Sequence, residues 1–226
     1  MPVKDSMSTA REAIEAVMRC GDVDFTVYND FSSPDTTAEL ELLSRNLGFR
    51  LVNWADRTDH PSPNYRLTLQ DAQRRALAQG AHLVIVESDV TVSPDTFLRL
   101  EAEVAEGVGM VAAVTVDEAG RVNFPYLYAR RLRGPAVDTR KRFSFCCTLL
   151  SNAFLSAYSF DLLDPEKQWF DVTISHRSLE LGFRNRLLLN APVLHRPHSS
   201  RPWKRLKYTN PLRYYWQKLT QHRDRI

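Results

Sequence analysis

Apolar residues recur along this chain in two alternating rhythms. Short runs rich in β-branched and aromatic residues have the length and composition of buried strands: DFTVY (24–28), RLVNW (50–54), HLVIV (82–86), GMVAAVTV (109–116), FSFCCTLL (143–150) and NRLLLN (185–190). Between the early runs, STAREAIEAVMRC (8–20), DTTAELELLSRNLG (35–48), YRLTLQDAQRRALAQG (65–80) and SPDTFLRLEAEVAEG (93–107) carry apolar residues at helical spacing. The last three stop at or just before glycine, the residue that most easily takes the left-handed conformation closing a helix. The fourth opens on Ser93-Pro94, a capping residue followed by proline, so its first turn is expected there. A further helix is expected from Asp164-Pro165 to Gly182, followed by a strand ending in Val193-Leu194-His195. This alternation predicts an α/β fold, a mostly parallel mixed sheet flanked by helices.

Three segments depart from the rhythm. MPVKDS (1–6) runs straight into the first helix, so the first strand is expected to be truncated to a fragment at MPV. Arg130 to Arg142 carries six basic residues around Gly134-Pro135 and reads as a mobile loop. From Arg196 onward the chain is basic and aromatic, with a helix expected from Pro211 and an apolar stripe at Leu212, Tyr215, Trp216 and Leu219. The expected organisation is a catalytic domain over 1–195 and a C-terminal extension over 196–226 with an amphipathic helix.

Charge sharpens that boundary. The extension holds nine Lys and Arg and one acid, Asp224, a balance of +8, leaving 21 basic and 26 acidic groups, −5, in the first 195 residues. Tyr and Trp beside Lys and Arg suit peripheral contact with an anionic membrane, and equally a helix docked on its own domain with its charges in water. A basic tail also raises nucleic acid as a partner. The acidic body and the lack of a nucleic-acid motif argue against it. No apolar run approaches the ~20 residues of a membrane helix. Three cysteines, two of them adjacent, make neither a disulfide framework nor a metal-ligand spacing, so a reducing cytoplasm is expected, at the inner face of the cell membrane if the extension binds there. At 43% hydrophobic and 25% charged residues, the chain has enough apolar material to exclude a disordered class.

The chemistry concentrates in two places. Glu87-Ser88-Asp89 follows a strand and precedes a helix, and ligands of open α/β sheets sit beyond the carboxyl ends of the strands. Carboxylates there suit Mg²⁺ or Mn²⁺ shared with phosphate oxygens, the plainer alternative being a solvated turn. Asp171 is expected mid-helix among Trp169, Phe170 and Val172, where half-burial would raise its pKa and fit it to act as a base, against the plainer reading of a surface acid. His195 ends a strand, with His198 three residues on; imidazole is a good divalent-metal ligand, although a lone histidine is more often structural. His176, in line with Val172 and Leu179, reads as a packing residue. Phosphate-loop, dinucleotide, nucleophile-elbow and zinc-protease signatures are absent from the sequence.

Taken in order, MPVKD (1–5), YNDFSSPD (28–35), ESDV (87–90), FDVTISHRSLELG (170–182) and VLH (193–195) resemble the motif series of family 2 glycosyltransferases, whose fold is the nucleotide-diphospho-sugar transferase fold, GT-A. The resemblance covers nearly the whole chain. It implies that Asn29 and Asp30 contact the base or ribose of a nucleotide-diphospho-sugar, with Pro2, Val3 and Asp5 lining the same pocket and Asn64, Glu87 and Ser88 also on the donor. It implies that Asp89, with His195, holds a divalent cation, and that Asp171 is the general base of an inverting transfer to a glycan or lipid-linked acceptor. Phe170 stands where the family has Glu, Thr173 replaces a second acid, and Glu87 replaces the first Asp of the metal motif. A non-catalytic module that binds sugar nucleotide or nucleic acid is the alternative.

Overall fold

The computed structural model of the chain describes residues 1–21, 23–166 and 169–196, together with 210, 212, 213 and 216. Contacts divide the chain into Met1–Arg196 and Pro197–Ile226. In the second unit Leu212, Arg213 and Trp216 are helical, and Tyr215, Leu219 and His198 lie outside the described residues.

The first unit opens with β1 (Pro2–Val3), α1 (Met7–Met18), β2 (Thr26–Asn29), α2 (Pro34–Leu47) and β3 (Arg50–Asn53). β1, β2 and β3 form a three-stranded parallel sheet in that order, with Val3 opposite Asn29 and Asn29 opposite Asn53. The first strand is therefore present, at two residues. Both helices follow local rules. Ser33 caps α2 by accepting from the Thr36 N–H, Pro34 occupies its first turn, and Gly48 ends it at φ 80°, a conformation that costs glycine no side-chain clash. The apolar face of α1, including Ala10, Ala13, Ile14 and Val17, is fully buried.

A 3₁₀ turn (Trp54–Asp56) leads towards α3 (Tyr65–Ala78), β4 (Leu83–Val86), β5 (Val90–Thr91), α4 (Thr96–Ala102) and β6 (Val108–Val116). There follow β7 (Ala136–Asp138), β8 (Cys147–Leu150), α5 (Asn152–Ala157), α6 (Phe170–Glu180) and β9 (Arg184–His195). The second sheet is mixed. Its strands run in the order β4-β8-β6-β9-β5, with β7 also on β9; β6 and β9 are parallel and the other pairs antiparallel. Two large apolar clusters fill the spaces between sheets and helices. One joins α1 to β6 and β8, and the other gathers Phe143, Phe145, Phe154 and Phe160 on the opposite side.

Four expectations are corrected. α4 begins at Thr96, with Asp95 before it, because Thr96 Oγ1 accepts from the Ser93 N–H and its N–H reaches the Ser93 carbonyl, which holds 93–95 as a turn. α6 begins at Phe170, because Asp164 accepts from the Glu166 N–H and so closes a local turn where the helix was expected. The 143–150 run is a strand only from Cys147: the N–H groups of Phe143 and Ser144 are taken by Ser175 Oγ and Tyr126 Oη, so they have no ladder to join. The basic segment 130–142 is not simply a loop, since its middle forms β7 against β9.

Gly109 explains how closely α6 rests on β6. A Cβ there would lie 2.4 Å from Ser178 Oγ and 2.7 Å from Phe183 Cβ, and Ser178 is itself held by a 2.7 Å bond to the buried Asn185. Gly109→Ala is expected to lower the urea midpoint by about 1–3 kcal/mol of stability at constant m-value. An unchanged midpoint would mean that Ser178 and Phe183 step aside freely.

Candidate functional site

The parallel sheet ends in a polar corner. Asn29, at the end of β2, donates to Asn53 Oδ1 at 3.0 Å and to Thr37 Oγ1 at 2.9 Å, and accepts from the Ser32 N–H. Asp30 bonds its N–H to the Val3 carbonyl, which fixes β1 beside it. Both its carboxylate oxygens are engaged: Oδ1 accepts from Asn64 Nδ2 at 2.9 Å, and Oδ2 from Ser62 Oγ at 2.7 Å and the Asn64 N–H at 3.0 Å. Asn64 is buried at the start of α3. Asp5, at φ 46°, accepts from the Ser33 N–H at 2.6 Å, and that bond holds its carboxyl below the usual range. Pro2, Val3, Asp5, Asn29, Asp30 and Asn64 are thus brought to one end of the sheet. Ser6 Oγ lies 3.3 Å from Ser88 Oγ, linking this corner to the turn after β4.

That turn, Glu87-Ser88-Asp89, is set by two strand registers. β4 pairs with β8 so that Val86 faces Cys147, which puts Glu87 beside Cys146, the Glu87 N–H on the Cys146 carbonyl. β5 pairs with β9 so that Val90 faces His195, which puts Asp89 beside His195: Nε2 and Oδ2 are 3.6 Å apart and both side chains are buried. His195 Nδ1 lies 2.7 Å from the Phe124 carbonyl oxygen. A carbonyl only accepts, so Nδ1 carries the hydrogen and Nε2 faces the acids. Burial alone would lower the His195 pKa; the hydrogen bond and charge of Asp89, with Glu87, outweigh it and raise it. Cys146 Sγ is 3.4 Å from Glu87 Oε2, and burial and the Glu87 charge push its pKa well up.

Asp171 lies in the first turn of α6, not mid-helix as expected, for the reason that shortens that helix. It is half-buried, 3.5 Å from Arg142, and its Oδ1 accepts from the Val172 N–H. Tyr65 connects it to the other acids. Its ring lies between Phe145 and Phe170, the neighbours of Cys146 and Asp171, at centroid distances of 6.5 and 6.3 Å. Its hydroxyl is buried and has no hydrogen-bond partner among the described residues. Burial, then the charges of Glu87 and Asp171, hold the phenol well above its usual pKa, so it is a neutral donor. His176 is half-buried, as a packing residue would be.

Sequence reasoning missed Cys146, Tyr65, Asn53 and Arg142. Cys146 was weighed only by cysteine spacing, and the ladder that brings it to Glu87 joins positions 59 residues apart. Tyr65 sits in a helical pattern that marks it as ordinary apolar material. The carboxylates of Glu87 and Asp89 with the imidazole of His195 fit a divalent cation; Glu87, Cys146 and His195 offer ligand atoms all within 4.8 Å of one another.

No protein-family profile and no curated protein sequence matches the chain. Solved structures do. Residues 1–349 of TarS from S. aureus superpose with a TM-score of 0.63 at 17% identity, over 86% of this chain and 58% of that one. The mannosyltransferase PcManGT from Pyrobaculum calidifontis, solved with GDP-Man and Mn²⁺, gives 0.64 at 14% identity, over 97% and 62%. GalNAc-T7, solved with UDP, GalNAc and Mn²⁺, gives 0.60 at 12% identity, over 88% and 43%. The chain therefore has a GT-A-like fold, and it spans about three fifths of the length of the first two of these structures.

Asp30 is expected to matter for stability before any ligand arrives. Asp30→Ala strands the donors of Ser62 and Asn64 and should cost about 1–3 kcal/mol in thermal unfolding of the protein alone. An unaltered melting temperature would leave Asp30 with a ligand-facing role alone.

Proposed function

We propose that the chain is a glycosyltransferase that moves a sugar from a nucleotide-diphosphate donor to an acceptor hydroxyl, with a divalent cation as helper. The observation that carries this is the meeting of Glu87, Asp89 and His195, delivered by three separate strand ends, at the carboxyl edge of a GT-A-like sheet. A buried carboxylate, Asp89, and a half-buried one, Glu87, packed with a buried imidazole are costly unless charge or hydrogen bonding compensates them, and a cation does so.

Each group then has a task. Asn29 and Asp30 are held in a fixed orientation by Asn53, Thr37, Ser62 and Asn64, a rigid frame for the base or ribose of the donor, with Pro2, Val3 and Asp5 beside it. Ser88 and Glu87 extend the surface towards the diphosphate. Glu87, Asp89 and His195 would hold the cation, which supplies positive charge against the diphosphate as it leaves. Asp171 takes the proton of the acceptor hydroxyl while that oxygen forms its bond to the anomeric carbon. The bond from that carbon to the diphosphate oxygen breaks on the opposite face, its electron pair leaving with the nucleoside diphosphate, so the configuration inverts. Arg142 stands beside Asp171, its guanidinium 3.5 Å from the carboxylate.

The acceptor is proposed to be a glycan or a lipid-linked glycan, with cell-envelope or capsular polysaccharide as the product class. The basic, aromatic segment 196–226 suits contact with an anionic membrane at the inner face of the cell membrane, and a cytoplasmic setting follows from that arrangement.

Thermal stability against a panel of sugar nucleotides, with Mn²⁺, Mg²⁺ or EDTA, tests the reading. A donor at a hundred times its dissociation constant should add about 2.7 kcal/mol. That shift should require metal and disappear in Asp89→Asn. Asp171→Asn should keep it while turnover falls by about 10²–10⁴-fold. No shift with any donor, from folded protein, would remove the donor site and with it the enzyme.

A further inference from the structure

The mechanism uses the carboxylates and the imidazole and leaves the thiol of Cys146 without a task. Its position is specific. Sγ lies 3.4 Å from Glu87 Oε2 and 3.9 Å from His195 Nε2. In a tetrahedral centre with metal–sulfur at about 2.3 Å and metal–nitrogen at about 2.0 Å, neighbouring ligand atoms stand roughly 3.5 Å apart. The Sγ–Oε2 pair stands at that spacing, the Sγ–Nε2 pair is somewhat wider, and all three ligand atoms lie within 4.8 Å of one another. The imidazole is also preset, because the Phe124 carbonyl takes the Nδ1 hydrogen and leaves Nε2 facing Sγ and, at 3.6 Å, Asp89 Oδ2, the second-shell arrangement that metal-bound histidines use. The other cysteines are placed differently. Cys20 bonds the Ala16 and Ser93 carbonyls, and Cys147 is buried within β8.

We propose that Glu87, Cys146 and His195 form a three-ligand centre for a thiophilic divalent cation of the Zn²⁺ and Co²⁺ class. Asp89, its Oδ2 3.6 Å from His195 Nε2, faces the fourth position, which it shares with an oxygen of the bound donor. This deepens the cation-assisted reading and rests on it. Mg²⁺ demands an octahedron of oxygen ligands and has no use for sulfur, whereas carboxylate, imidazole and thiolate together are the donor set of borderline and soft ions. Binding sends the thiol proton to solvent, and the thiolate and the Glu87 carboxylate then balance the two charges of the ion.

The test is a Co²⁺ titration of the full chain, followed by the near-ultraviolet charge-transfer absorption that marks a thiolate–cobalt bond, with bound metal counted by equilibrium dialysis. One equivalent of cobalt should produce the band, Cys20→Ser should keep it, and Cys146→Ser should lose it. Circular dichroism checks that each variant is folded. Should Cys146→Ser not fold, competition in the unaltered protein decides: equimolar Zn²⁺ should abolish the band and a hundredfold excess of Mg²⁺ should not. Cobalt bound with no band, a band that survives in Cys146→Ser, or displacement by Mg²⁺ would each overturn the thiolate centre and leave the donor site standing. No cobalt bound at all, with donor stabilisation indifferent to EDTA, would overturn the cation along with it.

Discussion

Two antiparallel registers govern this molecule's chemistry. Val86 against Cys147 and Val90 against His195 are ordinary ladder pairings between apolar or half-apolar strands. They nonetheless determine which polar side chains stand together one residue further on. Side chains alternate along a strand, so a slip of one residue in either ladder would turn Cys146 or His195 away from the acids. The apolar core that locks these registers, built on β6, β8 and β9, is therefore the source of the site's geometry.

The polar corner at the end of the parallel sheet is built on a different logic. Its order comes from a closed polar network in which Asn29 and Asp30 spend their hydrogen-bonding capacity on Asn53, Thr37, Ser62 and Asn64. Such a network is favourable only when satisfied throughout, and it holds its members in single orientations. The two halves of the site meet at Ser6 and Ser88, where one hydroxyl contact joins the loop after β1 to the turn after β4. A rigid polar frame and a buried acid–imidazole group are thus joined by short links.

Much of this was legible in the chain. The alternation of strand-like and helix-like runs carries the α/β class, since each run has its own period, and the carboxyl-end rule points to Glu87 and Asp89. His195 was visible as a strand end. What stayed hidden was long-range. Cys146 becomes a neighbour of Glu87 only through a pairing across 59 positions, and Tyr65 only through the packing of Phe145 and Phe170 around it. Local competition also escaped the pattern: Asp164 and Thr96 each spend a side-chain oxygen on a backbone N–H and shift a helix start, which places Asp171 in a first turn.

The longest strand carries a consequence for how this protein can change over generations. β9 runs 12 residues; it pairs with β6 and β7 up to Leu188, shifts register against β6 between Leu188 and Val193, and pairs with β6 and β5 from Val193 before delivering His195. Adding or deleting one residue in its regular stretches, 185–188 and 193–195, would throw the later side chains of that stretch onto the wrong face, whereas replacing one apolar residue by another would not. Among relatives, the count of residues in those two stretches should therefore be inherited more strictly than their identities, with length change absorbed at the irregularity between them. Lineages can vary in length in the turns either side of β7, and diversification of the surface around the site has room to occur there.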